Sequence, residues 1–475
     1  MTQKMNSRIT VKEVIRSMNY NVKLTFSFYA ISSLSRSMWM GSVLSLYINI
    51  FASGSDFFGL SENEILGITS AASGITMTLF VFPAGYFADK FRRDSILRLS
   101  TFIGVAGLLF LILGKSIVFI LVSMLLWGLF NAFVRPTLES IFADSVESGY
   151  RSKIYSWAHL IREVAMAIGP FLNIGLFAII GNNYNLSVLR KVMGIGFALS
   201  FVSIILLFLF KDDRALGKES EAIAEEVAAV NQEIKLGRLT QLDSKKAAKL
   251  IPYLLITGNV IIGIGAGMTI KYFPIFFKDI YLISPIAIQG IMGGTSLATG
   301  LLAVASQKAS LKIGRVQTIF LAQYLATASL LVIAIYPPLG VLIPIFIIRG
   351  SFMNAAQPLS RSILMDIIPK HNRGKWHSIG AIAWGLIWNV SAVVGGFLVG
   401  DNNYNLCFSI TTFIYILGLV PIILLIPLVG KEREALERER KVENGSSLEL
   451  AEVEENLTNT FEQSDVLIQE EKIET

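Results

Sequence analysis

The sequence predicts an all-α membrane protein: twelve transmembrane helices in two pseudo-symmetric six-helix bundles. Three observations predict it. Of 475 residues, 53% are hydrophobic and only 16% charged, with a mean hydropathy of +0.60, whereas a soluble domain carries about 25% charged residues. Apolar runs of roughly 20 residues, the length that crosses a hydrocarbon core of about 30 Å as a helix, recur along most of the chain. The second half of the chain also repeats the first.

Residues 1–23 carry Lys4, Arg8, Lys12, Arg16 and Lys23 without an apolar core. They read as a cytoplasmic amphipathic lead-in and not as a cleavable signal. The first bundle, 24–210, holds spans predicted at 24–48, 64–88, 96–114, 117–143, 154–180 and 187–210. Residues 211–249 are a polar cytoplasmic linker, with a helical stretch from Glu219 to Leu236. The second bundle, 250–430, holds spans at 250–277, 286–307, 316–336, 338–365, 376–400 and 406–429. The tail, 431–475, opens with mixed charges and turns acidic through Glu449, Glu452, Glu454, Glu455, Glu470 and Glu471. That composition predicts disorder.

Basic residues fall in alternate connections: Lys90, Arg92 and Arg93; Arg151 and Lys153; Lys308, Lys312 and Arg315; Lys370, Arg373 and Lys375. The positive-inside rule places those connections and both termini in the cytoplasm, with the plasma membrane as the expected location. The same bias accounts for the formal charge of +6 without a nucleic-acid partner.

A shift of 222 residues places Gly128, Phe130, Pro136, Ser140, Ile141, Asp144, Arg151, Lys153 and Ser156 on Gly350, Phe352, Pro358, Ser362, Ile363, Asp366, Arg373, Lys375 and Ser378. Lys90 and Arg93 fall on Lys312 and Arg315, and a shift of 220 places Asn182–Leu186 on Asn402–Leu406. A parallel six-helix repeat implies two bundles related by an axis along the membrane normal, a substrate site near the midplane and alternating access by rocking.

Charges inside spans cost about 2.5 to 3.5 kcal/mol at the bilayer centre, so each is a functional candidate. Arg36 lies in the middle of span 1, too deep to reach water easily, and either contacts substrate or pairs with Glu139 or Glu163. Asn131 and Arg135 in span 4, Lys271 in span 7, and Asn354 and Gln357 in span 10 complete the candidate substrate set. Lys271 is near the outer end of its span, where snorkelling is an equal alternative. Arg135 and Glu139, four residues apart, can neutralise each other. Glu139 corresponds by the repeat to Arg361, which suggests a cytoplasmic gate salt bridge between them. Glu139 and Glu163 are the candidates to carry a coupling proton, with His159 a packing or interfacial residue.

Gly85-Tyr86-Phe87-Ala88-Asp89-Lys90-Phe91-Arg92-Arg93 resembles the G-x-x-x-D-R-x-G-R-R loop that the major facilitator superfamily carries after helix 2. Arg92 stands at the second glycine. In the second half Gly314-Arg315 remain, while Gln307 and Leu311 replace the first glycine and the aspartate. The resemblance implies a secondary active transporter whose helices 1, 4, 7 and 10 line a central cavity. It also implies that Asp89, set against the start of helix 11, latches the outward-facing state, with Arg93 and Asp144 as charge partners and Gly85 and Lys90 in the same gating loop. Ala167-Ile168-Gly169-Pro170 is similar to the glycine-proline motif of major facilitator antiporters, although Asn173 and Ile174 replace its later glycines.

The single cysteine, Cys407, excludes a disulfide framework and a multi-cysteine metal site. His371 and His377 have no metal-ligand spacing. Gly114-Lys115-Ser116 lacks the first glycine of a phosphate loop, where Leu109 stands. No cofactor and no catalytic constellation are expected, so the chain is not an enzyme. The leading expectation is a monomeric transporter in the lipid bilayer exporting drugs or metabolites against protons. The alternatives are an importer of an organic anion, favoured by Arg36, Arg135 and Lys271, and a non-transporting sensor whose output is the acidic tail.

Overall fold

The computed structural model describes residues 18–146, 151–216, 244–367 and 370–429. Most of the lead-in, the stretch from Glu219 to Leu236 and the acidic tail lie outside the described residues. So do the side chains of Asp89, Arg151, Lys153, Asp366, His371, Arg373, Lys375 and His377.

The first half comprises α1 (Tyr20–Trp39), α2 (Ser42–Ser53), α3 (Glu62–Lys90), α4 (Arg93–Leu113), α5 (Ile117–Ala143), α6 (Arg151–Ile180) and α7 (Leu186–Leu206). The second comprises α8 (Ser244–Ile270), α9 (Phe273–Asp279), α10 (Pro285–Ile313), α11 (Arg315–Ala334), α12 (Leu339–Ala355), α13 (Gln357–Ile367), α14 (Lys370–Val399) and α15 (Tyr404–Leu425). Among the described residues ten helices are long and apolar enough to cross a membrane. The remaining two of the twelve spans are α1 with α2, and α14, whose apolar part is Gly385–Val399. Leu79, Phe82, Leu113, Ile179 and Leu301 stand exposed on these helices, as expected where lipid is the solvent.

Local chemistry sets the helix ends. Before α3 the Ser61 hydroxyl accepts from the Glu64 amide while Glu64 accepts from the Ser61 amide at 2.8 Å, a closed capping box. Gly314, between α10 and α11, has φ +106°, a value side chains rarely adopt, which lets the chain reverse in one residue.

Three spans that the sequence reads as continuous are interrupted. Span 1 breaks at Met40-Gly41, span 7 at Lys271-Tyr272 and span 10 at Ala356. Pro274 lies just inside α9 and Pro358 just inside α13, where a missing amide hydrogen costs nothing. Hydropathy averaged over a whole span does not register such breaks, because one or two polar residues leave the mean high.

The repeat is visible in the packing. An added methyl on Gly128 would strike the Ser73 carbonyl, and one on Gly350 would strike Thr295, and both pairs are separated by the same 222 positions. Gly169 of span 5 lies against the Ser37 hydroxyl of span 1, while Gly267 of span 7 lies against the Ser391 hydroxyl of span 11. The same contact recurs with glycine and serine exchanged.

Spans 2 and 11, and spans 5 and 8, pack across the junction of the halves. The hydrogen bonds that join the halves cluster on the face opposite the basic loops.

Candidate substrate cavity and its gate

On that face the halves are closed by a polar seam. Tyr272, fully buried at the break in span 7, donates to the Ala392 carbonyl at 2.6 Å and approaches the Asn63 carbonyl at 3.4 Å. It fits between spans 2 and 11 because Gly67 and Gly396 present no side chain to its hydroxyl. Around it Asn63 donates to the Gly400 carbonyl at 2.9 Å, and Lys278 donates to Asn49 at 2.8 Å while pairing with Asp279 at 2.8 Å. Asp279 also accepts from Tyr404 at 3.0 Å, and Tyr184 donates to the Ile283 carbonyl.

Asn173, which stands where the resembling motif has a glycine, donates to the Met38 carbonyl at the end of α1 (2.8 Å) and to Gln289 of span 8 (3.3 Å). Gln289 in turn donates to Ser42 at 2.7 Å. The break in span 1 is thus tied to spans 5 and 8.

Below the seam several cations stand near one another. Arg36 lies within electrostatic range of Arg135 and Arg162, and Lys271 within range of Arg36. Among the described residues no hydrogen bond or ion pair engages the head groups of Arg36, Arg135 or Lys271. Glu139 interacts with Arg135 only beyond contact distance, and Glu163 pairs with His159 at 3.7 Å. The alternative that Arg36 is held by Glu139 or Glu163 is therefore not met in this conformation. Arg162 stacks on Tyr29, 5.5 Å from the ring centre, and meets His159 at 3.3 Å.

Lys271 sits on the break of span 7, half-buried, and lines a cavity of about 60 Å³. Asn131 and Asn354 each turn their amide back to their own helix, onto the Trp127 carbonyl (2.7 Å) and the Gly350 carbonyl (2.9 Å). Gln357 donates to Asn354 at 3.0 Å. Toward the basic face Arg135, Glu139, Asn354, Gln357 and Arg361 are all exposed, in contrast to the closed seam. Glu139 and Arg361 form no ion pair here.

At the basic face Arg93 pairs with Asp144 at 2.5 Å. Two partners come from beyond span 6: Asp212 accepts from the Arg93 amide at 3.1 Å, and Asp213 meets Arg92 at 2.8 Å. The hydrogen bonds from Arg92 to Asp94 and Asp213 push its already high pKa further up. Gly85 has open space around it, and Lys90 lies over the Tyr86 ring at 5.7 Å.

Sequence reasoning passed over Arg349, Tyr272, Asn173 and Gln289. Arg349 carried a signal, a charge inside span 10. It is 3% exposed and donates to Tyr415 at 2.9 Å and to Thr269 at 3.4 Å. No sequence signal separates Tyr272 from other span-end tyrosines, since its role depends on glycines in two distant helices.

The family model described as Major Facilitator Superfamily matches residues 25–257 and 255–463. Among curated proteins none matches. Similar solved structures include a bacterial homolog of the human lysosomal transporter Spinster, in an inward-facing and occupied conformation. It has TM-score 0.65 and 14% identity, over 85% of this chain and 96% of that one. A mutant of the nucleoside transporter NupG aligns with TM-score 0.62 at 11% identity, over 85% and 100% of the two chains. A mutant of the peptide transporter POT in complex with sulfate aligns with TM-score 0.61 at 16% identity, over 87% and 96%. At these identities the likeness is one of fold.

Proposed function

Because the chain belongs to the major facilitator superfamily and is a multi-pass membrane transporter, we propose that it carries a small organic anion by alternating access between its two halves. The observation behind this reading is the set Arg36, Arg135 and Lys271, which lie within electrostatic range through Arg36 and have no acidic partner in contact, with Lys271 lining the cavity. An uncompensated charge in a low-dielectric wall is costly, and an anionic cargo removes that cost through charge-assisted hydrogen bonds.

With the basic loops in the cytoplasm by the positive-inside rule, the closed seam at Tyr272 faces outward and the conformation is the inward-facing one. The Glu139–Arg361 pair is then a gate of the opposite state, formed when the inner ends of spans 4 and 10 approach. Asp89 belongs to the same state as a latch on span 11. Glu139 and Glu163 are the groups through which a proton gradient would couple to transport, and they serve export as well as import.

The test is uptake of a radiolabelled panel of organic anions and cationic drugs into proteoliposomes, with and without an imposed pH gradient. Anion uptake lost in Arg36→Ala supports the reading. Transport confined to cationic drugs would falsify it, and uptake indifferent to the gradient removes proton coupling.

A further inference from the structure

The break in span 7 has a consequence for how the cargo is held. Helix α8 stops at Ile270 and α9 resumes at Phe273, leaving Lys271 at the interruption. Lys271 lines the cavity of about 60 Å³ together with the polar Ser45 of span 1, Thr69, Ser70 and Ser73 of span 2 and Asn389 of span 11, and with apolar residues of spans 1, 2 and 4. Among the described residues no aspartate or glutamate lines it. Thr69 is satisfied by the Ile65 and Leu66 carbonyls, but Ser45, Ser70, Ser73 and Lys271 direct no side-chain hydrogen bond to another described residue. Asn389 spends one amide hydrogen on the Gly385 carbonyl at 2.6 Å and keeps the other.

Size limits what such a cavity accepts. One water needs roughly 10 to 15 Å³ by this measure, so the space has room for a compact head group with its remaining hydration. A single ammonium surrounded by hydroxyls and an amide matches a carboxylate or a phosphate, which takes several donors at once.

The interruption is held from the other side. The Arg349 guanidinium lies 4.8 Å from the Phe273 ring centre, donates to Thr269 at 3.4 Å and donates to Tyr415 of span 12 at 2.9 Å. Thr269 precedes the break and Phe273 follows it, so one buried cation grips both ends of the interrupted turn. The two-residue step that presents Lys271 is fixed by that grip.

We infer that this cavity is the subsite for the acidic head group of the cargo, with Lys271 as its charge partner and Ser45, Ser70, Ser73 and Asn389 as hydrogen-bonding groups, and that Arg349 is the residue that positions Lys271. The inference rests on the anion-transport reading above and narrows it: the head group goes outward to Lys271, and the rest of the cargo lies toward Arg36.

The experiment is thermal unfolding of the full-length protein in detergent with acetate, with inorganic phosphate and with neutral acetamide. Binding to the native state raises the midpoint in a saturable way. Acetate or phosphate should stabilise the wild type and acetamide should not, and the better of the two anions identifies the head group. Lys271→Gln should weaken the response by roughly ten- to a hundredfold, with Lys271→Arg retaining part of it. Arg349→Lys should weaken it in the wild-type background and add nothing in Lys271→Gln, a coupling that general destabilisation does not produce.

Equal stabilisation of Lys271→Gln and wild type, or none of the wild type by either anion, overturns the subsite. Additive effects of the two substitutions overturn the role of Arg349. If proteoliposomes take up an organic anion with the same KM in Lys271→Gln as in wild type, the subsite fails while the transport reading stands. If wild-type proteoliposomes take up no anion, the underlying reading fails.

Discussion

Arg36 lies within electrostatic range of both Arg135 and Lys271, and the proposed anion site gives each of the three a measurable weight. A hydrogen bond to a charged group contributes about 1.5 to 3 kcal/mol. Arg36→Gln should therefore weaken anion binding by roughly ten- to a hundredfold, read as a rise in KM or Kd, while Arg36→Lys keeps the charge and loses the fork. A substitution at Arg36 that leaves anion affinity unchanged removes it from the site. The same scale shows what a sequence displays and what it hides. Arg36 is legible because a charge in the middle of an apolar run has few uses. Whether that charge meets Glu139, Glu163 or an open cavity depends on side chains over a hundred positions away. Arg349 is equally visible as a charge, yet only its contacts with Phe273, Thr269 and Tyr415 assign it to the turn of span 7 and not to the cargo.

Elements meet through small residues. Gly169 against Ser37 and Gly267 against Ser391 are one contact in two copies with the partners exchanged. Gly169→Ser should overpack spans 1 and 5 and cost about 1 to 3 kcal/mol, seen as a lower unfolding temperature in detergent. Ser37→Gly in the same chain should restore most of the loss, since it recreates the arrangement of spans 7 and 11. If the double variant is no more stable than Gly169→Ser alone, the two contacts are not equivalent. At the outer seam Tyr272→Phe removes two hydroxyl contacts and keeps the ring, so it should favour opening on that side. A cysteine introduced at Ser73 should then react faster with a membrane-impermeant thiol reagent added outside. An unchanged rate would mean that the surrounding Asn63, Asn49 and Lys278 bonds close the seam without the hydroxyl.

At the scale of the whole molecule, the proposed alternating access would bring the exposed Glu139 and Arg361 together in the opposite state. Reversing either charge should impair transport and exchanging both should restore part of it, whereas independent, additive losses would remove the gate. Deleting residues 443–475 should leave transport intact, and its abolition would favour the sensor reading of the tail. The sequence by itself determined the class, the number of crossings, the repeat and the presence of cations in the middle of the spans. Each of these follows from hydropathy and periodicity, which the bilayer imposes residue by residue. Only the tertiary structure decided where spans 1, 7 and 10 break, which face is closed, and that Lys271 lines a cavity. Those features arise where helices from both halves meet, and a break, a plug such as Tyr272 or a pin such as Arg349 exists only through the partners that distant segments bring to it.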